Sequence, residues 1–306
     1  MKRARMMLIA SMIIFGTVGL FSKNIPVSSG ELALYRALMA AVLVGGFLLV
    51  TRQRIPLRAI RGQLPLLLLS GAAMGVNWIL LFNSYRHTTV ALGTLSYYFA
   101  PVIVMAACPV LFRERMTGKQ ILCFLLSVLG MVLITCMGQP EEQSAGEAAA
   151  QAAQAGQPAR NDLLGILFGL GAAVFYAAVM LLNKFIKGVE GLHRTLVQFI
   201  AAIVTLTPYV ALTSGVTLGG MEPGGWAFLL VLGLVHTGVA YCLYFSALKE
   251  LPGQTTALLS YIDPLVAVLV STLILHEAPL TLWQTVGGAL ILGATLWNEL
   301  TPKKNS

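Results

Sequence analysis

Charge is scarce in this sequence. Asp, Glu, Lys and Arg make up 10% of its 306 residues, where an ordinary soluble domain carries about 25%. So few charges cannot cover the surface of a soluble protein of this size. That excludes a cytosolic enzyme, a nucleic-acid-binding domain and a disordered tail. Cysteine is equally thin. Cys108, Cys123, Cys136 and Cys242 all fall in apolar stretches, and none has metal-ligand spacing. They read as small buried hydrophobes, not as a disulfide framework or a metal centre. The sequence has no G-x-x-x-x-G-K-[ST] phosphate loop, no H-E-x-x-H and no G-x-S-x-G, so no nucleotide hydrolysis, catalytic residue, cofactor or metal is assigned.

What is present is hydrophobicity: 57% of the residues are apolar and the mean hydropathy is +0.81. A membrane-spanning helix needs about 20 mostly apolar residues. Ten such stretches occur, at about 6–22, 31–51, 65–84, 90–112, 120–137, 162–182, 194–213, 225–247, 254–275 and 281–299. They are far longer than barrel strands of about 10 residues and do not alternate. The predicted fold is an all-α integral membrane protein of ten transmembrane helices. Residues 1–137 form a first five-helix unit and 162–299 a second. Residues 300–306 are a tail. The Ala/Gln/Gly-rich, acidic stretch 138–161 has no apolar periodicity and reads as a flexible linker. Lys2, Arg3 and Arg5 precede the first apolar core, which runs on into Leu20-Phe21-Ser22-Lys23 without a small-residue cleavage site. It reads as an uncleaved first helix.

The net charge of +8 follows from topology. With the N-terminus in the cytoplasm, the inner segments hold Lys2, Arg3, Arg5, Arg52, Arg54, Arg58, Arg61, Arg113, Arg115, Lys119, Lys184, Lys187, Arg194, Lys249, Lys303 and Lys304. The outer segments hold only Lys23, Arg86 and Arg160. This bias orients both termini inside a plasma membrane. The basic balance therefore implies no nucleic-acid partner.

The two halves resemble each other. A shift of 163 positions superposes Gly75 on Gly238, Phe82 on Phe245, Arg86 on Lys249, Leu95 on Leu258, Tyr98 on Tyr261, Pro101 on Pro264 and Glu114 on Glu277. After one inserted residue, Thr117 falls on Thr281 and Gln120 on Gln284. Five helices per half is an odd number, so the second copy sits upside down. Inverted repeats of this kind are a common way to build a secondary transporter.

The five-plus-five pattern, the basic inner termini, Leu34-Tyr35-Arg36-Ala37 in span 2 and the paired Tyr-x-x-Pro…Glu segments of spans 4 and 9 resemble the EamA-type drug/metabolite transporter family. The resemblance covers nearly the whole chain. It implies alternating-access movement of small metabolites, often export. It also implies a cavity lined by spans 3, 4, 8 and 9, with spans 5 and 10 bracing the outside.

Ionisable groups within hydrocarbon are costly and therefore candidates for function. Asp263 precedes Pro264, whose missing N–H frees the Ser260 carbonyl, as Pro101 frees that of Tyr97. A carboxylate beside such a carbonyl suits a cation, an ammonium group or a proton. Arg36 could clamp a carboxylate or phosphate. Alternatively it snorkels outward or pairs with Asp263 or Glu31, and the resemblance implies an architectural or gating Arg there. His236 could carry protons with Asp263 as a two-residue relay, or it is a satisfied His between helices. Asn77, Trp78, Asn83, Ser96, Tyr97, Tyr98, Tyr241, Tyr244, Ser260 and Tyr261 are predicted to furnish a cavity of aromatic walls with few polar anchors. Of these, Asn77 and Tyr98 rank first. Pro101 and Pro264 are predicted hinges. Glu114 and Glu277 read as interfacial, with Arg113, Arg115 or His276 as partners. Gly71-x-x-x-Gly75 and Gly165-x-x-x-Gly169 read as close-packing sites.

The sequence thus predicts a non-enzymatic secondary active transporter, with export as the expected direction. Its partners are a small metabolite and the lipid bilayer, with proton coupling as one driving force. One buried Arg and one buried Asp suit a zwitterion such as an amino acid. A lipid-modifying membrane enzyme and a passive channel or scramblase are the alternatives. A homodimer is compatible with the sequence.

Overall fold

A computed structural model describes residues 2–53, 56–112, 118–133, 160–189, 191–215, 217, 221–248, 259, 262–277 and 280–300. The described residues form helices and connections, with no strand among them. In chain order the α-helices are α1 (Lys2–Gly16), α2 (Val18–Lys23), α3 (Ser29–Val50), α4 (Leu57–His87), α5 (Val90–Tyr97), α6 (Ala100–Phe112), α7 (Gly118–Val132), α8 (Asp162–Phe185), α9 (Gly191–Thr213), α10 (Pro223–Leu230), α11 (Ala240–Leu248), α12 (Ile262–Leu269) and α13 (Leu282–Leu300). Two wider π-helical segments, Val231–Val239 and Val270–Ile274, continue α10 and α12. Most of the predicted linker, together with Glu114, Lys249, Ser260 and Tyr261, lies outside the described residues.

Among the described residues, six helical stretches are long and apolar enough to cross a membrane: Lys2–Lys23, Ser29–Val50, Leu57–His87, Asp162–Asn183, Gly191–Thr213 and Pro223–Tyr244. Shorter apolar helices occupy Val90–Val104, Ile121–Gly130, Ile262–Ile274 and Leu282–Ala294. Large apolar side chains such as Val42, Leu49, Val50 and Leu212 are exposed on the outer faces. In water they would be aggregation-prone patches; in a bilayer lipid is their solvent.

Local chemistry shifts several predicted limits. Ser28 accepts from the Glu31 N–H at 3.1 Å and the Glu31 carboxylate accepts from the Ser28 N–H at 3.3 Å, a capping box. α3 therefore starts at Ser29, and Arg36 lies two turns inside it. α4 has 31 residues and spans about 46 Å at 1.5 Å per residue, more than the ~30 Å hydrocarbon core. Its first turns carry Arg58 and Arg61. The fourth predicted span is broken. α5 stops at Tyr97 and α6 restarts at Ala100, which puts Pro101 in a first turn, where no N–H is needed.

Packing is tight where glycine meets a neighbouring segment. A Cβ on Gly71 would stand 2.4 Å from the Gln198 carbonyl of α9, and one on Gly130 of α7 would stand 2.6 Å from the Gly287 carbonyl of α13. Gly165 and Gly169 of α8 abut Thr88 and Ser96 in the same way. Interhelical polar bonds reinforce these approaches. The Ser84 hydroxyl donates to the Gly165 carbonyl at 2.7 Å. The Gln198 amide donates to Ser70 at 2.8 Å and to Asn183 at 3.1 Å. Such bonds contribute of order 1 kcal/mol each in a bilayer.

Candidate functional site

The interior charges gather around a group of aromatic rings. Arg36, 3% exposed, projects from the second turn of α3. Its Nε donates to the Thr237 hydroxyl at 2.9 Å. Its guanidinium carbon lies 4.5 Å from the centre of the Trp78 ring and 5.3 Å from that of Phe82. Among the described residues no carboxylate lies within ion-pair distance of Arg36. The expected pairing with Asp263 or Glu31 is therefore not made, and the residue does not snorkel. Glu31 is occupied by Ser28, by the Thr217 N–H at 2.6 Å and by the Thr217 hydroxyl at 2.7 Å.

Thr237 reaches Arg36 because its helix is widened there. Its hydroxyl donates to the Leu232 carbonyl, five residues back, at 3.0 Å. A π turn leaves that carbonyl available and rotates the side chain relative to an α-helix. His236 lies on the same segment. Its ring nitrogens meet the Val231 carbonyl at 3.2 Å and the Thr17 hydroxyl at 2.9 Å, and its ring lies 4.6 Å from that of Phe21. Both nitrogens are engaged away from Asp263. Of the two readings of His236, the relay with Asp263 is not made; it is a satisfied His that ties the π segment to the bend between α1 and α2.

Asp263, in the first turn of α12, accepts from the Tyr98 hydroxyl at 2.7 Å. The bond joins the α5–α6 break to the first turn of α12. Tyr97 stacks on Tyr176 of α8, with ring centres 5.1 Å apart, and meets Tyr98 edge-on at 5.9 Å. Tyr241 packs edge-on against Phe15 at 5.2 Å and Phe199 at 5.6 Å, and Tyr244 meets Phe15 at 6.2 Å. Asp263, Tyr97, Tyr98, Tyr176, Tyr241 and Tyr244 are deep among the helices yet only half-buried. Tyr85, Tyr97 and Tyr241 are charge neighbours of both Arg36 and Asp263.

Other predicted residues play structural parts. The Asn77 amide donates to the Ala172 carbonyl at 2.7 Å and pins α4 to α8. Ser96 donates to its own helix at Leu92, and Asn83 bridges Ile79 and Ser29. Trp78 is 3% exposed and walls the Arg36 site. Pro264 is buried in α12. Glu277 does not pair with His276; its carboxylate takes Lys23, the Ser271 hydroxyl and the Val90 N–H, while Arg113 and Arg115 lie outside the described residues. Sequence reasoning passed over Tyr176 and Thr237. A lone tyrosine near the centre of an apolar span, away from the interfaces that aromatic residues favour, was the available signal for Tyr176.

A model of the EamA-like transporter family matches residues 2–136 and again 163–299, so most of the chain is covered by two copies. The chain belongs to the EamA-like transporter family. This EamA-like protein is a multi-pass membrane transporter. It is 27% identical over 286 residues to the uncharacterized transporter YxxF of Bacillus subtilis, covering 93% of this chain and 85% of that one. It is 28% identical to an uncharacterized transporter of Archaeoglobus fulgidus, covering 98% of each. One solved crystal structure superposes with a TM-score of 0.65 at 15% identity over 95% of both chains, a likeness of fold alone.

Proposed function

We propose that this EamA-like transporter is a secondary active exporter of a small zwitterion such as an amino acid, working by alternating access. Ten spans form two inverted halves, residues 1–137 and 162–299, joined by an outer linker. Both termini face the cytoplasm, and the membrane is the plasma membrane. The twofold family match and the register of Tyr98 and Pro101 with Tyr261 and Pro264 support the repeat. So does a reciprocity of contacts: Arg36 of α3 bonds across to Thr237, while Gln198 of α9 bonds across to Ser70 of α4.

One observation carries the substrate reading. A buried guanidinium with no acid partner among the described residues and a half-buried carboxylate share Tyr85, Tyr97 and Tyr241 as neighbours. An isolated buried cation is costly, and a substrate carboxylate in its planar fork would neutralise it. Asp263 would receive the ammonium group, or a coupling proton when the site is empty. The α5–α6 break, Pro101, Pro264 and the π segments are the places where the halves flex.

A thermal-shift screen of the purified protein against metabolite pools tests this reading. A ligand at a hundred times its Kd stabilises the folded state by about 2.7 kcal/mol. Zwitterionic hits that disappear in Asp263→Asn support the assignment. Stabilisation only by uncharged or purely cationic compounds overturns it.

A further inference from the structure

A second charged cluster lies at the end of the bundle where α2 stops, apart from the aromatic group around Asp263 that is the proposed transport chamber. Lys23 bonds to the Glu277 carboxylate and donates to the Thr88 carbonyl at 3.1 Å. Glu277 also accepts from the Ser271 hydroxyl and, at 2.9 Å, from the N–H of Val90, the first residue of α5. An acid there satisfies an orphan helical N–H and complements the helix dipole. Thr88 in turn donates to Asp162 at 2.6 Å, and Arg160 binds the same carboxylate through two bonds of 2.7 Å. The Asn161 N–H reaches the His87 carbonyl at 2.9 Å.

These bonds tie residues 23 and 87–90 of the first half to residues 160–162, where the linker enters the second half, and to residues 271–277 of the second half. The apolar layer beneath them is closed. Val90 is fully buried, and a Cβ on Gly19 would stand 2.3 Å from its side chain. The latch also couples to the chamber. Glu277, just beyond the π continuation of α12, holds the start of α5. Asp263, on α12 itself, holds Tyr98 at the other end of α5. Eight residues of α5 separate the two rungs by about 12 Å. Lifting the start of α5 off Glu277 therefore pulls on Tyr98.

We infer that the Lys23–Glu277 pair, with the Val90 N–H and Ser271, is the gate that closes the outer mouth of the transport path. This rests on the transport reading and on the orientation proposed above. In a two-half rocking movement, contacts between halves at one end must break for that end to open. These are such contacts, and they are charged.

The test uses a full-length protein with Cys108, Cys123, Cys136 and Cys242 replaced by Ala and Tyr176→Cys as a chamber reporter. A membrane-impermeant thiol reagent is added to intact cells. Glu277→Gln and Lys23→Gln are each expected to raise the labelling rate by about tenfold to a hundredfold, because hydrogen bonds to a charged group are lost from the closed state alone. The swap Lys23→Glu with Glu277→Lys is expected to return the rate towards that of the parent. Parental rates in both single variants, or raised rates that the swap leaves unchanged, overturn the gate. Should a charge variant fail to yield monodisperse protein, Ser271→Ala removes one Glu277 partner and is expected to give a smaller rise; a parental rate there overturns the gate. Labelling needs no substrate. Glu277-dependent labelling without any counterflow would sink the transport reading and leave the gate standing, and the reverse pattern would sink only the gate.

Discussion

Arg36→Met separates a residue kept for function from one kept for stability. The substitution removes the 2.9 Å bond to Thr237 and the stacking on Trp78 and Phe82. A hydrogen bond to a charged group contributes about 1.5–3 kcal/mol. A desolvated cation over an aromatic ring contributes about 2 kcal/mol, with less from the more distant Phe82. The losses come to about 4–6 kcal/mol. Against them stands the burial of an ion without an acid partner, an effective penalty of several kcal/mol. Thr237 is not orphaned by the change, because it still donates to the Leu232 carbonyl, and Met fills similar volume flexibly. The terms nearly cancel. The variant is expected to unfold within about 2 kcal/mol of the parent, where breaking a buried ion pair would cost about 3–5 kcal/mol. Thermal unfolding in detergent measures the first quantity, and ligand-induced stabilisation measures the function. Expected is near-parental unfolding with ligand stabilisation lost, and no recovery in Arg36→Lys, which lacks the planar fork. A loss of 3 kcal/mol or more, or intact ligand stabilisation, would refute the reasoning.

Tyr98→Phe and Asp263→Asn should each weaken the link between α5 and α12, and a double-mutant cycle should return a coupling of about 1–3 kcal/mol; unfolding midpoints of the four proteins supply it. Gly71→Ala is expected to destabilise by about 1–3 kcal/mol, because its Cβ would meet the Gln198 carbonyl. Gly46→Ala, with nothing within 4 Å of the new Cβ, should stabilise by up to about 1 kcal/mol. Glu31→Ala removes the capping box and the bonds to Thr217; a loss of about 1–2 kcal/mol is expected from the cap alone.

The long apolar runs were legible because a span near 20 residues is a strong, local signal, and Asp162, Thr213 and Leu300 end helices within a few residues of the hydropathy limits. The break before Pro101 was legible too, since proline removes a donor wherever it falls. The partners of the interior charges were not. Arg36 meets Thr237, 201 residues later, only because a π turn rotates that side chain, and hydropathy does not distinguish π from α. His236 turns to Thr17 for the same reason. The partners of Glu277 were not legible because two of them, Lys23 and the Val90 N–H, come from the other half of the chain and one of these is backbone. Asn77 ranked high on depth alone, but depth does not tell a lining amide from one that pins two helices.

Counterflow in proteoliposomes tests the central claim most directly. Liposomes preloaded with an unlabelled amino-acid mixture are given a trace of labelled amino acids outside. The account requires saturable, preload-dependent accumulation of label by the parent protein and none by Asp263→Asn or Arg36→Met of equal purity. Flux that rises linearly with concentration, ignores the preload, or persists unchanged in both variants would contradict it.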